Sequence, residues 1–121
     1  MSKTMIVGAT PNPTRYAYMA AHRLKQHGHE ILPIGIKKGE VAGEPIVDLR
    51  KRPALEDIDT ITLYLNPYNQ DEWEDYLLSL APRRIIFNPG TENHVLAEKA
   101  SKLGIETEEA CTLVMLSAGT Y

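Results

Sequence analysis

The sequence predicts a single α/β domain, spanning residues 1–121, with a doubly wound, mainly parallel five-stranded sheet and helices on both faces. The first observation behind this prediction is an alternation of short apolar runs with helix-like stretches of about ten residues. The second is the chain length of 121 residues, which fits one domain with a substantial core. The third is the composition, 43% hydrophobic and 24% charged, which is typical of a globular protein and not of a disordered one.

The first strand–helix pair is the clearest. The apolar run at residues 5–7 fits a strand buried on both faces and ends at Gly8. Asn12 is a suitable N-cap and Pro13 suits the first helical position, so the helix is expected to begin there. Gly28 is expected to end it. Its buried stripe is predicted to be Ala17, Ala20, Ala21 and Leu24.

The second strand is predicted at residues 31–34, near an edge or a strand end because it contains a proline. The stretch from 35 to 59 is broken by Gly and Pro and is hard to interpret. Within it, residues 46–49 could form a short extra strand and residues 54–57 a brief helical turn.

The third strand is predicted at residues 61–65 and is followed by a helix for which Asn69 and Glu72 resemble a capping box. Pro82 is expected to end this helix. Its apolar residues at helical spacing, predicted to be core and not a stacking platform, are Trp73, Tyr76, Leu77 and Leu80. Tyr64, within the third strand, is also assigned to the core.

The fourth strand is predicted at residues 84–87 and the fifth at 105–107. Thr91 is expected to cap the helix between them, and Gly104 to end it. That helix is predicted to bury Leu96, Ala100 and Leu103. A final apolar helical segment is predicted at residues 111–116.

Right-handed crossovers between such strands give a Rossmann-like sheet, in which ligands bind beyond the carboxyl ends of the strands. This rule selects four turn-rich places: residues 8–13, residues 35–38, Asn66-Pro67, and Asn88-Pro89-Gly90. Ordinary turn chemistry also favours Asn, Pro and Gly. A binding role is favoured because all four of these places lie at the ends of strands.

The loop after the first strand carries the strongest functional signal. A helix N-terminus offers free backbone N–H groups and a partial positive charge, which suit a pyrophosphate. Gly8 allows a tight turn, and Thr10 can donate a hydroxyl hydrogen bond. Arg15, placed in the first helical turn, opposes the helix dipole unless an anion lies nearby, so it is interpreted as a phosphate ligand, with a surface ion pair as the alternative.

This loop differs from the dinucleotide-binding fingerprint, because Thr10 and Pro13 stand where its second and third glycines are expected. No acidic residue follows the second strand to bind an unmodified ribose; Lys37 and Lys38 stand there instead. The candidate ligands are therefore NADP, or coenzyme A with its 3′-phosphate. The lysines could equally be solvated surface.

The net charge of −3 argues against a nucleic-acid partner, and no apolar run is long enough to cross a membrane. The N-terminus lacks the pattern of a signal peptide, and the single cysteine, Cys111, favours the cytoplasm. Cys111 is interpreted as a buried structural thiol, or as a reactive one if a helix begins after it. No metal site and no catalytic residue are predicted. His94, near the crevice, is only a minor candidate for a base.

Four stretches together resemble small bacterial CoA-binding domain proteins: Gly8-Ala9-Thr10-Pro11-Asn12-Pro13 with Arg15, residues 62–67, residues 85–93 and residues 109–116. The family is similar to the CoA-binding domain of the succinyl-CoA synthetase alpha subunit, whose catalytic activity is not carried over because this chain lacks the second domain. The resemblance implies that CoA lies over the strand ends. The residues expected to bind it are Gly8, Ala9, Thr10, Pro11, Asn12, Arg15, Gly35, Lys37, Lys38, Asn66, Pro67, Asn88, Pro89 and Gly90.

Two functional hypotheses follow. The first is a stand-alone, non-catalytic module that binds CoA or an acyl-CoA. The second is an NADP-binding or CoA-dependent enzyme, an oxidoreductase or an acyl transferase, completed by a partner subunit. An apolar C-terminal helix in so small a domain also suggests a homodimer.

Overall fold

The structure, a computed structural model, describes residues 3–121; residues 1–2, part of the stretch on which the signal-peptide expectation rests, lie outside the described residues. In chain order the strands are β1 (Lys3–Val7), β2 (Glu30–Gly35), β3 (Glu40–Val41), β4 (Glu44–Pro45), β5 (Val47–Asp48), β6 (Thr60–Leu63), β7 (Arg84–Phe87) and β8 (Glu106–Glu109). The α-helices are α1 (Tyr16–Gln26), α2 (Pro67–Gln70), α3 (Glu74–Ser79), α4 (His94–Lys102) and α5 (Thr112–Ala118).

The main sheet has the strand order β5-β2-β1-β6-β7-β8, and every pair in it is parallel. This confirms the predicted doubly wound fold, with six strands in the sheet instead of five. The sixth is β5, within the residues considered as a short extra strand. The two edges differ in kind: β5 has two residues, whereas β8 has four, three of which are glutamates.

Helices cover both faces of the sheet, as predicted. Side chains alternate along a strand, so Met5 and Val7 of β1 face one side and Ile6 faces the other. On the first side, α3 and α4 contribute Leu77 and Leu96 to the core. On the second side, α1 packs against α5. The predicted stripe of α1 is buried, with Ala17, Ala20, Ala21 and Leu24 at most 5% exposed.

The predicted start of α1 was wrong. The helix begins at Tyr16 with Arg15 in the N-cap position, not at Asn12 and Pro13. The Asn12 Oδ1 atom instead accepts hydrogen bonds from the Thr14 backbone N–H (3.0 Å) and hydroxyl (2.8 Å). Asparagine readily closes such local turns, and this one keeps residues 12–14 outside the helix.

Other helix boundaries also differ from the prediction. Asn66, not Asn69, caps α2 by accepting a hydrogen bond from the Asn69 N–H (2.9 Å), and Asn93, not Thr91, caps α4. A 3-10 turn (Asp71–Trp73) separates α2 from α3. Leu103 was expected in the core but is 63% exposed, because α4 ends just before it.

The stretch from 35 to 59 forms small elements that the sequence did not indicate clearly. β3 and β4 pair as an antiparallel hairpin around Ala42 and Gly43, both with positive φ (51° and 80°). Asparagine and glycine are the usual pair in such a turn, so Ala-Gly is a weak signal. A 3-10 turn lies at Leu49–Lys51, and residues 54–57 do not form the expected helical turn.

An ion pair closes the amino-terminal edge of the sheet. Arg83 donates to both carboxylate oxygens of Asp59 (2.9 and 3.1 Å), and the Thr60 hydroxyl donates to the same carboxylate (2.7 Å). The bonds from Arg83 are the main reason that the pKa of Asp59 lies below its ordinary value of 3.8. The pair therefore stabilises the fold only while Asp59 is ionised.

We expect this contribution to be present above about pH 5 and to be lost as the pH falls through the lowered pKa of Asp59. Asp59→Asn should lower the free energy of unfolding by less than about 1 kcal/mol at neutral pH, because solvent screens the half-exposed Arg83. The difference from the wild type should vanish in acid. Urea unfolding at several pH values measures it, with the exposed Asp57→Asn as the control; a difference that grows in acid would contradict the assignment.

Candidate functional site

The carboxyl ends of β1, β2, β6 and β7 bring four loops to one edge of the sheet. The chain passes from β1 to β2 on one side and later returns to β6 on the other, so the strand order switches between β1 and β6. At this point the Tyr64 N–H donates to the Val7 carbonyl (2.9 Å). The four places selected from the sequence follow these four strands, and a crevice opens at such a switch point.

Gly8 lies where the first loop passes closest to its neighbours. Its φ is +94°, and a Cβ there would lie 3.2 Å from the Tyr64 carbonyl carbon and 3.2 Å from a methyl carbon of Leu65. The N–H groups of Gly8 and Ala9 both donate to the Ile34 carbonyl (2.9 and 3.1 Å). These two residues therefore shape the loop, while their N–H groups are already engaged.

The second loop packs directly on the first. A Cβ at Gly35 would lie 3.1 Å from the Ala9 carbonyl oxygen, and one at Gly39 would lie 3.3 Å from Pro11. The absence of side chains at these two glycines allows the loops after β1 and β2 to touch. Residues 35–38 thus lie beside residues 8–13, as the strand-end rule requires.

The N-terminus of α1 lacks a side-chain cap and has no acidic residue in its first turn. The backbone N–H groups of Tyr16 and Ala17 have no acceptor within residues 3–121. Thr10, half-buried nearby, accepts a hydrogen bond from the Asn12 N–H (3.1 Å) and keeps its hydroxyl hydrogen free to donate. This helix end therefore offers donors and a partial positive charge to an anion.

Three basic residues in this loop and the loop after β2 have no ion-pair or hydrogen-bond partner among the described residues: Arg15, Lys37 and Lys38. Most other basic residues are paired, including Lys25 with Glu44 and Arg83 with Asp59. Arg15 occupies the N-cap position and not the first helical turn. The positive charge at this edge is thus left for solvent or a ligand.

Asn66 and Pro67 lie in the loop after β6, both exposed. The Asn66 side chain caps α2, and Pro67 occupies the first turn of that helix. The Asn66 Oδ1 atom is thereby used within the protein, while its Nδ2 remains free to donate.

Asn88, unlike Asn66, is 2% exposed. Its Nδ2 donates to the Thr62 hydroxyl (2.7 Å) and the Leu63 carbonyl (2.9 Å), and its Oδ1 accepts from the Thr112 N–H (2.9 Å). The side chain therefore joins β6, β7 and α5 and is not directed at the crevice. Pro89 and Gly90, which follow it, are exposed at the edge.

Two residues that the sequence analysis did not assign to the site lie beside it. Gln70 is fully buried, and its spacing with Trp73 and Leu77 would have placed a polar residue on an apolar stripe. Tyr64, expected in the core, packs there with its hydroxyl near the side chains of Thr62 and Thr112. Burial raises the pKa of Tyr64 to about 12, so the phenol stays protonated.

The reactive side chains considered from the sequence follow β7 and β8 at the carboxyl edge of the sheet. Cys111 is half-buried in the N-cap position of α5, and His94 is exposed at the first position of α4. Within residues 3–121 no group of three or more His, Cys, Asp or Glu side chains is arranged to hold a metal ion. Over the same residues, none of the helices is both long and apolar enough to cross a membrane.

A shallow groove of about 730 Å³ lies between α1 and the β3–β4 hairpin. Of the residues predicted to bind a ligand, it shares only Pro11. Arg15, Lys37, Lys38 and the uncapped N-terminus of α1 do not line this groove and lie at the carboxyl edge of the sheet.

Comparison with known proteins identifies the domain. Residues 2–117 match the family described as CoA binding domain. No curated protein sequence matches the chain. A crystal structure described as that of an uncharacterized protein is 60% identical, covers 100% of this chain and 98% of its own, and superposes with a TM-score of 0.96.

More distant structures share the fold. A hypothetical protein from Pyrococcus horikoshii OT3 is 24% identical, with 97% of this chain and 82% of its own covered and a TM-score of 0.83. A conserved hypothetical protein from Pyrococcus furiosus is 25% identical, with 89% and 92% covered and a TM-score of 0.76.

Proposed function

Since the chain belongs to the CoA binding domain family, we propose that it binds coenzyme A or an acyl-CoA across the carboxyl edge of the sheet, as a stand-alone non-catalytic module. The loop after β1 holds the pyrophosphate. The loop after β2 holds the adenosine and its 3′-phosphate. The loops after β6 and β7 line the path of the pantetheine arm.

The N-terminus of α1 is the observation that carries this proposal. Tyr16 and Ala17 present two backbone N–H groups that have no acceptor among the described residues, and Thr10 and Arg15 lie in the loop that leads into them. A pyrophosphate supplies the acceptors and the negative charge that this helix end lacks. Gly8 is proposed to shape the loop and not to donate to the ligand, because its own N–H is bonded to the Ile34 carbonyl.

The loop after β2 suits a phosphorylated adenosine. Lys37 and Lys38 are exposed and have no partner in the part of the chain that the structure describes, and contact of Gly35 with Ala9 keeps this loop against the loop after β1. Ile36 is 57% exposed beside the lysines and offers an apolar surface to a purine ring. The combination of one apolar and two cationic side chains supports a ligand that carries a ribose phosphate next to its base.

Exposed apolar side chains continue along the same edge. Tyr16, Tyr68 and Val95 lie in the first turns of α1, α2 and α4 and are 68%, 90% and 60% exposed. The N-terminal ends of these helices lie at the carboxyl edge of a parallel sheet. Such surface suits the long, partly apolar pantetheine arm between the Asn66-Pro67 and Asn88-Pro89-Gly90 loops.

The direct test is to denature the purified protein and identify the released small molecules by mass spectrometry. Recovery of CoA or an acyl-CoA, together with a rise in Tm when CoA is added to the emptied protein, is expected. Recovery of NADP, or a rise in Tm with NADP and not with CoA, would overturn the proposal and favour the oxidoreductase alternative.

Arg15→Ala should weaken CoA binding about tenfold to a hundredfold, because charge-assisted hydrogen bonds to phosphate contribute about 1.5–3 kcal/mol. Isothermal titration calorimetry measures the Kd. Arg23→Ala is the matched control, since Arg23 is an exposed arginine in the last turn of the same helix and its side chain has no partner within residues 3–121. Equal effects of the two substitutions would show that Arg15 acts only through net charge.

The homodimer and the cytoplasmic location stay predictions. Val114 in α5 is 63% exposed, and Leu113 beside it is partly exposed. This surface supports a dimer formed through α5, as the apolar C-terminal segment suggested.

A further inference from the structure

Gln70, the last residue of α2, joins the loops that follow β6 and β7. Its side chain is fully buried. The Nε2 atom donates to the Leu65 carbonyl (2.8 Å) and to the Thr91 carbonyl (2.8 Å), and the Oε1 atom accepts from the Asn93 Nδ2 (3.0 Å). Leu65 belongs to the first of these loops, and Thr91 and Asn93 belong to the second.

This single planar amide fixes the distance between two backbone segments. Both hydrogens of its Nε2 are used, one on each loop, so neither loop can move away without leaving a buried donor and a buried carbonyl unpaired. The strand pairing of β6 with β7 ends earlier, at Leu63 and Phe87. Beyond that pair, Gln70 is a direct link between the two loops.

The bridged carbonyls lie next to the residues assigned to the ligand. Leu65 precedes Asn66 and Pro67, and Thr91 follows Pro89 and Gly90. A change in the Gln70 bridge therefore changes the separation of the two walls between which the pantetheine arm is placed. The loops after β1 and β2 make no hydrogen bond with the Gln70 side chain.

We propose that Gln70 is a positioning residue that sets the separation of the loops after β6 and β7 and thereby determines affinity for the pantetheine arm. The inference rests on the proposed binding of CoA. It assigns Gln70 no contact with the ligand. Binding surfaces need such a buried supporting layer to keep their contact groups in place.

The test compares two ligands on the same variant. Coenzyme A contains the pantetheine arm, whereas adenosine 3′,5′-bisphosphate lacks it and reaches only the loops after β1 and β2. Gln70→Met keeps the side-chain size but removes the three hydrogen bonds. We expect this variant to bind CoA about tenfold more weakly, as the loss of one ordinary hydrogen bond would cause, and to bind the bisphosphate as the wild type does.

Thr60→Val is the matched control for stability. Thr60 is also fully buried and hydrogen-bonded, but it lies at the opposite end of β6. It should lower the free energy of unfolding without changing the ratio of the two affinities. Asn93→Ser retains a hydroxyl to cap α4 and removes the bonds that the Asn93 Nδ2 donates to the Gln70 Oε1 (3.0 Å) and to the Glu74 carboxylate (3.3 Å). Asn93→Ser should shift the ratio of the CoA and bisphosphate affinities in the same direction as Gln70→Met, but by a smaller factor. It provides the test of the proposal if Gln70→Met does not fold.

The possible failures are distinguishable. If Gln70→Met and Asn93→Ser leave the ratio of affinities at the wild-type value, or weaken both ligands equally, Gln70 has a structural role only and the inference is overturned. If the wild-type protein binds neither ligand, the proposed function itself is overturned, and the inference with it.

Discussion

Replacing Asn88 with leucine is expected to lower the free energy of unfolding by about 3–5 kcal/mol. Leucine has nearly the same size, but it leaves the buried Leu63 carbonyl and the Thr112 N–H without partners. Each unpaired buried group costs about 1–3 kcal/mol, and Thr62 loses a donor as well. A loss of this size is a large part of the total stability of a small domain.

Urea unfolding of Asn88→Leu and Asn66→Ala tests the assignment of the two asparagines. Both precede a proline at a strand end, yet Asn66 is exposed and only caps α2. The loss of a cap costs about 1 kcal/mol, so Asn66→Ala should be far less destabilising. Similar losses for the two variants would show that the Asn88 hydrogen bonds contribute little to stability.

The second large effect is expected for Gly8→Ala, which should destabilise the fold by about 2–3 kcal/mol and weaken CoA binding at least tenfold. An alanine at position 8 would keep the φ of +94°, which L residues rarely adopt. Its Cβ would also lie 3.2 Å from Tyr64 and 3.2 Å from Leu65. The chain would have to move the phosphate loop away from the loop after β6. That movement displaces the groups assigned to the pyrophosphate.

Gly104→Ala separates the cost of a side chain at positive φ from the cost of the steric contact between loops. Gly104 has a φ of +79°, but a Cβ there would meet nothing within 4 Å. It should therefore show only the backbone cost, about 1 kcal/mol, and unchanged CoA affinity. Thermal unfolding with and without CoA measures both effects. If Gly8→Ala matched Gly104→Ala in both, the close approach of the loops would have no role in binding.

The sequence predicted the elements whose signals are local. The runs that form β1, β2, β6 and β7 are largely apolar because both faces of these strands are buried, and each was located within two residues. The doubly wound arrangement of the sheet followed from crossover rules and not from any one residue, and the position of the binding crevice at its carboxyl edge stays a prediction. The family resemblance, confirmed by the match over residues 2–117, added the ligand class.

What the sequence could not predict depends on contacts between distant segments. Asn12, Asn66, Asn88 and Asn93 are equally good capping residues by type. Only the fold decides that Asn12 closes a local turn, that Asn66 and Asn93 cap helices, and that Asn88 is buried. Gln70 was missed for the same reason, because its partners lie on two loops up to 23 residues away.

The composition of the two edge strands affects whether copies of the protein aggregate through their sheets. An exposed strand edge can pair with the edge of another molecule and begin aggregation. β5, at one edge, has only two residues, and β8, at the other, consists of Glu106, Thr107, Glu108 and Glu109. Glu106 and Glu108 form ion pairs with Arg83 and Arg84 of the same molecule (3.3 and 3.4 Å), so pairing two such edges would desolvate charged side chains and bring the Glu109 carboxylates together. The same sheet that gathers its binding loops at one end is thus protected along both sides against joining into larger sheets.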